Sequence, residues 1–452
     1  MTRRPMRQTV ILFGLVSLLL EGACGRRAAF TEVWSHSYGP RNVYSASSVD
    51  LNGDGFADLL VGVPGGAEAY FGSAQGLSKQ PNWVWRSDEQ DGGNAGYCVG
   101  SAGHMDGDPF PEIYISSLVG RGRGLIYLFK TGPSGPQSRP WKELLGPMKS
   151  GGFGERVARA GNIYGDGFDA LAVADYSYGQ QRGKVYVYHG GPKGPGPNPD
   201  WQAQGAQPGD WFGYSLCGPG DLDGDGVDDL VIGSKNCNGS CLTWMAGNPD
   251  LALNQADTHS AAWTQAAALP MVGRLSVYYG SKNGLGPRPG LQMEGESDHE
   301  LFAYSLAAAG DVLGNGTHAL LVGSLGWKDR RGRIELLAGG PKGRPLRRLW
   351  QTEGALPNEG LGYALSVMPD LGGRGLPGIL TGGLADDAAW VAWPWRAPYA
   401  MRQISVLGGQ PIHKRISIVL GSAGDVYGDG HDELFVLIAG RDGQLKVLRF
   451  NQ

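Results

Sequence analysis

The chain is poor in the residues that most enzymes and zinc proteins depend on. Histidine occurs eight times and cysteine five times in 452 residues, and no Cys–His pairing of catalytic or metal-binding spacing is present. No G-x-S-x-G elbow, zinc motif or phosphate loop appears. Basic blocks are also missing: 39 Lys and Arg stand against 43 Asp and Glu, a formal net charge of −4. That balance excludes nucleic acid as a partner class. Long apolar runs are lacking after the first twenty residues. The one such run, Val10 to Leu20, follows Arg3, Arg4 and Arg7 and has the charge and length of a signal-peptide core, too short to span a bilayer comfortably. The segment Leu20-Glu21-Gly22-Ala23-Cys24 resembles a bacterial lipoprotein cleavage site, with Glu21 where such sites carry Leu. Residues 1–24 therefore read as an export signal. Both lipid attachment at Cys24 and ordinary secretion remain open, and either places the mature chain in the periplasm, at the cell surface or outside the cell.

Glycine, by contrast, is abundant at 77 residues, and proline adds 28. Such a level accompanies disorder when it has no period, but here it has one. Acidic turns begin at Asp50, His104, Asn162, Asp221, Asp311, Asp370 and Asp425, separated by 54, 58, 59, 90, 59 and 55 residues. Each turn follows a short small-residue strand and precedes an apolar run such as Ala57 to Val63, Glu112 to Ser117 or Asp228 to Ser234. An alternating third strand comes next, as in Gly183 to Gly190. A fourth strand follows, often with tryptophan, as in Asn82 to Ser87 and Asp200 to Gly205. Glycine-bounded runs of Val, Leu, Ile and Tyr read as strands, and a fixed period of four strands reads as a propeller. The seventh unit ends after its third strand, Leu445 to Phe450, while Phe30 to Ser35 stands alone before the first unit. The predicted fold is all-β: a seven-bladed β-propeller over residues 30–452, with four-stranded antiparallel blades and the N-terminal strand closing the last one. Closure of that kind removes two sheet edges.

The repeat resembles the FG-GAP repeats of the integrin α-subunit propeller. Phe212-Gly213, Leu361-Gly362 and Gly96-Tyr97 stand where that family has its Phe-Gly pair, and Val61 to Pro64 where it has Gly-Ala-Pro. Several units depart from the consensus, and the leg domains and membrane anchor of an integrin are absent from this sequence. The resemblance implies the fold and, more weakly, a role in adhesion.

The turns carry the clearest chemistry. Asp50, Asn52, Asp54 and Asp58 occupy positions one, three, five and nine of the first turn, and Asp221, Asp223, Asp225 and Asp229 those of the fourth. Position six is Gly55 or Gly226, and the carbonyls of Phe56 and Val227 stand at position seven. Ca²⁺ takes about six to eight such oxygens, and these loops resemble the calcium-binding hairpins of the family. A favoured Asn-Gly or Asp-Gly hairpin accounts for one acid and one glycine, not for several converging oxygens that repel one another without a cation. Turn seven keeps Asp425, Asp429 and Glu433 but has Tyr427 at position three. Turn two offers Asp106, Asp108 and Glu112 behind His104. Turns three, five and six have Ala170, Ala319 and Gly378 at position nine and are expected to be metal-free.

The 90-residue unit owes its length to an insertion at about residues 235–272. It contains Trp244, Trp263 and the pair Cys237 and Cys241, which are close enough for a small loop disulfide in an oxidising compartment. The insertion reads either as a tolerated surface loop or as a ligand-binding one, with Trp244 and Trp263 as its contact residues. The function expected is a non-enzymatic exported binding module with structural calcium, contacting a protein or glycan and touching a membrane only through a lipid at Cys24. The alternative is a calcium-dependent, polysaccharide-active enzyme of lyase type.

Overall fold

The computed structural model describes residues 29–39, 43–88, 94–148, 151–235, 271–368, 378–383, 388–392, 401–405, 417–439 and 443–451. The signal segment with Cys24, the insertion with Cys237, Cys241, Trp244 and Trp263, and the start of the sixth turn at Asp370 lie outside the described residues.

The strands form four-stranded antiparallel sheets, each running from an inner strand to an outer one. Six of these sheets are blades contiguous in the chain, spanning residues 45–86, 95–145, 156–204, 215–294, 305–353 and 364–405. The last repeat supplies only Ser417–Gly424, Glu433–Ala439 and Gln444–Asn451. Its outer strand is Ala29–Ser37, which pairs antiparallel with Gln444–Asn451 and slips register between Glu32 and Trp34. By contiguity the count is thus six blades, not seven: the remaining four-stranded sheet is a composite of both chain ends.

The second strand of each contiguous blade is buried along its whole length, as in Asp58–Val63, Ala170–Asp175 and Asp229–Ser234. Successive side chains point to opposite faces, and here both faces meet a neighbouring sheet. Leu60 packs with Ile113, Ile115 and Phe129 of the second blade. Leu59 and Val61 pack with Phe435, Leu437 and Val447 of the composite sheet. This double burial explains why these strands read as unbroken apolar runs rather than alternating ones.

Two polar devices fasten sheet to sheet. On inner strands, Ser215 Oγ donates to Ala303 O at 2.7 Å, Ser305 Oγ to Gly362 O at 2.6 Å and Ser48 Oγ to Ala423 O at 2.7 Å. On outer strands, three tryptophans donate indole N–H to the next sheet. Trp83 reaches Gln137 O at 3.1 Å, Trp201 reaches Gly286 O at 2.9 Å, and Trp34 reaches Ser78 O at 2.9 Å. The Phe-Gly pair has a steric reason. Phe212 is buried, and Gly213 has φ +89, where an added Cβ would lie 2.7 Å from Val185 and 2.9 Å from Ala174. Glycine alone fits that approach without strain.

Trp34 joins the composite sheet to the first blade by its hydrogen bond and by an edge-on contact with Tyr70 at 5.0 Å between ring centres. Trp34→Ala is expected to lower stability by about 2 kcal/mol, less than a fully buried aromatic because the ring is half-buried. Urea unfolding followed by circular dichroism checks this, and an unchanged midpoint would show that the seam does not rely on Trp34.

Candidate functional site: the acidic turns

The described acidic turns are knitted to the neighbouring sheet. In the first, third, fourth and fifth, the N–H at position eight donates to the position-one carbonyl of the preceding turn. Ala57 donates to Asp425 at 3.0 Å, Asp169 to His104 at 2.9 Å, Asp228 to Asn162 at 3.3 Å and His318 to Asp221 at 2.7 Å. The turns therefore share one face, and their acids sit at the joints between sheets.

Within the fourth turn, Asp221 Oδ1 accepts from Gly224 N at 2.6 Å and Oδ2 from Gly226 N at 2.7 Å. Asp225 Oδ1 accepts from Val227 N at 3.0 Å. One ligand oxygen from each of Asp221, Asp223 and Asp225 lies within 4.8 Å of the others. Asp229 is fully buried, with Oδ2 accepting from Leu222 N at 2.7 Å and Oδ1 from Gly280 N at 2.9 Å. The only cation paired with this turn among the described residues is Lys342, an exposed side chain 3.9 Å from Asp223.

The first turn repeats the frame. Asp50 accepts from Gly53 N and Gly55 N at 2.7 and 3.0 Å, and Asp54 Oδ1 from Phe56 N at 3.0 Å. Asp58 Oδ2 accepts from Leu51 N and Oδ1 from Gly72 N, both at 2.8 Å. Asn52 Nδ2 donates to Asp54 Oδ2 at 2.9 Å, so the amide partly compensates that acid. Among the described residues no cationic side chain pairs with Asp50, Asp54 or Asp58.

The second and seventh turns differ. In the second, Asp106, Asp108 and Glu112 bring ligand oxygens within 4.8 Å of one another. Lys130 contacts Asp106 Oδ2 closely and Asp108 Oδ2 at 3.3 Å. In the seventh, the Arg449 guanidinium contacts Asp429 Oδ2 closely, lies 3.5 Å from Glu433 Oε1 and stacks over Tyr427 at 4.7 Å. Asp425 accepts from Asp429 N and Gly430 N at 3.0 and 2.7 Å. Sequence reasoning missed Lys130 and Arg449, because both arrive from the third strand of their own sheet.

Burial sets the acidity at position nine. It pushes Asp58, Glu112, Asp229 and Glu433 each up to about 7, against backbone hydrogen bonds that pull the other way. Nearby turn carboxylates add to the rise in each case. The turns that lack this acid are quieter. In the third, His189 Nε2 meets Asp166 Oδ2 at 2.9 Å. In the fifth, exposed Asp311 is held below its usual range by the N–H of Gly316.

A second cluster was not foreseen. The equivalent inner-strand serine bonds align Gly96 with Gly362 and Ala303, so the pair in the second blade is Ala95-Gly96 rather than Gly96-Tyr97. The residue after the pair is Tyr97, Tyr214, Tyr304 or Tyr363, with Glu155 after Phe153-Gly154. Tyr214 OH donates to Tyr304 OH at 3.2 Å, and Lys235 Nζ lies 3.5 Å from the Tyr214 ring centre. Arg156 stands 5.5 Å from the same ring and 5.6 Å from Tyr176. Burial would raise Tyr214, but the Lys235 ammonium and Arg156 guanidinium outweigh it and hold the phenol below its ordinary value. The Tyr that recurs after most Phe-Gly positions was the available signal. Elsewhere, Cys98 and Cys217 are free thiols, Cys217 buried.

Comparison with known proteins converges on the same turns. The FG-GAP repeat pattern matches residues 42–76 and 212–237, which hold the first and fourth turns. Integrin alpha pat-2 of Caenorhabditis elegans is 29% identical over 242 residues, 47% of this chain and 18% of the relative. Integrin alpha-5 of Xenopus laevis is 30% identical over 207 residues, 42% of this chain and 19% of the relative. The matches thus span under a fifth of these relatives' length. Among solved structures, the crystal structure of BBS1N in complex with ARL6DN aligns with a TM-score of 0.52 at 11% identity, over 94% of this chain and 97% of that one, a likeness of fold alone. With its repeated turns, its Phe-Gly pairs and these relatives, the chain carries FG-GAP repeats and is similar to integrin α-subunits over part of its length.

Proposed function

We propose that the protein is an exported, non-enzymatic binding module for a protein or glycan ligand, with structural calcium in its first and fourth turns. The observation that carries the calcium reading is the fourth turn. Three carboxylates converge within 4.8 Å above a fourth that is fully buried, and the nearest cation among the described residues is an exposed lysine at 3.9 Å. All-oxygen donor sets of this kind suit Ca²⁺. Asp50, Asn52, Asp54 and Asp58 would hold the ion in the first turn, and Asp221, Asp223, Asp225 and Asp229 in the fourth, with the Phe56 and Val227 carbonyls as neutral ligands. Its contribution would be to cancel the repulsion among the acids and lock the joint. The relatives, integrin α-subunits by name, support binding over catalysis. Attachment at Cys24 and ligand contact by Trp244 and Trp263 belong to the same proposal.

One observation favours the second reading, a calcium-dependent polysaccharide-active enzyme. Lys235 and Arg156 gather over the Tyr214 ring, and a lyase uses tyrosine, lysine and arginine of this kind as its base and charge clamp. A screen of glycans and proteins against the mature chain, with product release monitored for each polysaccharide, separates the two. Depolymerisation that disappears in Tyr214→Phe would overturn the binding-module reading. Saturable binding without turnover supports it.

Chelation with EDTA at pH 8 is expected to lower the melting temperature by about 5 °C or more, a loss of a few kcal/mol. An unchanged transition would remove calcium from the first and fourth turns. In chelator, the pH dependence has a definite sign. Folded-state values near 7 for Asp58 and Asp229 lie above the ordinary carboxylate range, so the folded chain binds more protons between about pH 4 and 7. Those groups favour folding at acid pH, and this contribution is lost as pH rises through 7. Calorimetry should therefore show the metal-free protein gaining stability from pH 8 to 5.5, with the calcium effect largest above pH 7. Asp229→Ala should cost about 3 kcal/mol in denaturant unfolding even without metal, because it strands the N–H groups of Leu222 and Gly280.

A further inference from the structure

The strand register places one particular residue opposite position nine of the first to fifth and seventh turns, and its chemistry tracks the charge of the turn. Pairing of Ile113 with Phe129 sets Glu112 against Lys130, and pairing of Leu434 with Leu448 sets Glu433 against Arg449. Pairing of Leu59 with Tyr70 sets Asp58 against Phe71, and pairing of Leu230 with Tyr278 sets Asp229 against Tyr279. Where the closing acid is gone, Ala170 faces His189 and Ala319 faces Ala338. The four turns with a closing acid therefore divide in two. A basic side chain faces the acid in the second and seventh, an aromatic one in the first and fourth.

We propose that this facing residue decides how each turn is neutralised: Lys130 and Arg449 are built-in cations that hold the second and seventh turns closed to calcium. The seventh-turn set Asp425, Asp429 and Glu433, expected from sequence as a metal site, is on this reading served by Arg449. The inference rests on the calcium reading of the first and fourth turns only for its aromatic half.

The second turn carries the argument furthest. Lys130 Nζ reaches both Asp106 and Asp108, the two acids whose oxygens converge with that of Glu112. An ammonium there occupies the space and the charge that a dication would need, since two cations sharing those oxygens repel each other. Glu112 is fully buried, Oε2 accepts from Met105 N at 2.7 Å, and Oε1 has no hydrogen-bond partner. A buried carboxylate oxygen without a donor is a ligand left over. Beneath Lys130, then, lies a latent divalent-cation site of Asp106, Asp108 and Glu112. Phe71 and Tyr279 offer no charge to the first and fourth turns, and Lys342 reaches the fourth from solvent rather than across the sheet.

The test counts ions. Full-length protein dialysed against calcium chloride and analysed by atomic emission should hold about two Ca²⁺, one for each aromatic-faced turn. Lys130→Gln should bind about one more, and its melting temperature should fall in EDTA and recover with calcium. Tyr279→Lys should do the reverse: lose one ion and respond less to EDTA. This second variant keeps the proposal testable if Lys130→Gln does not fold. An unchanged count in both variants overturns the proposal, as does a wild-type count of about four. No ion in the wild type but one in Lys130→Gln would sink the calcium reading of the first and fourth turns and leave this inference standing. No ion in the wild type or in Lys130→Gln would sink both.

Discussion

A buried carboxylate at position nine is the constraint around which this ring is organised. Asp58, Glu112, Asp229 and Glu433 are each fully inaccessible and accept the N–H of the residue at turn position two. That hydrogen bond folds the turn back onto its strand. In Asp58 and Asp229 the second oxygen also holds the glycine that leaves the third strand, Gly72 or Gly280. One side chain thus fixes three segments. The arrangement costs desolvation of a charge, and a buried carboxylate persists only when paired, protonated or bound to a cation.

The described turns meet that cost in different ways. Two place a basic residue across the sheet, and two leave the charge open behind an aromatic. The third and fifth put Ala170 and Ala319 at position nine, so no buried charge arises at that position, and the buried Asp169 beside it in the third turn is paired with Arg159 at 3.0 Å. Position-eight N–H groups tie several turns to the turn before them, so a turn that swells through unrelieved repulsion pulls on its neighbour's backbone. Neutralisation is therefore a property of the joint rather than of a single loop.

Much of this was legible in the sequence, for a definite reason. Turn positions one to nine are local, so spacing alone displays the acids, and the period of the turns exposes the repeat. Double burial of each second strand left an unbroken apolar run that marks it as a strand. The tryptophans of the outer strands were visible too, but not their role, since the indole N–H of Trp34, Trp83 and Trp201 finds a carbonyl in another sheet. Lys130 and Arg449 escaped notice for the same reason. They act across a register that only the folded sheet defines, and along the chain they are ordinary basic residues in alternating strands. The pairing of Ala29–Ser37 with Gln444–Asn451 was legible too, because the last repeat lacks a fourth strand and the segment before the first repeat lacks a partner.

That seam gives the first turn a special place. Ala57 donates to Asp425 and Ser73 to Val426, so the first turn rests directly on the turn of the composite sheet, which the chain holds together only by strand pairing. Arg449 secures the far side of this joint from within, through Asp429 and Glu433. The near side has only Asp50, Asp54 and Asp58, with no cationic side chain paired to them among the described residues. A divalent cation in the first turn would therefore stiffen the joint with the composite sheet, whose two parts, Ala29–Ser37 and the three strands from Ser417 to Asn451, are joined to each other by strand pairing alone, whereas in the fourth it would stiffen a joint between contiguous blades. If the two ions differ in consequence, the first is the one on which closure of the ring depends.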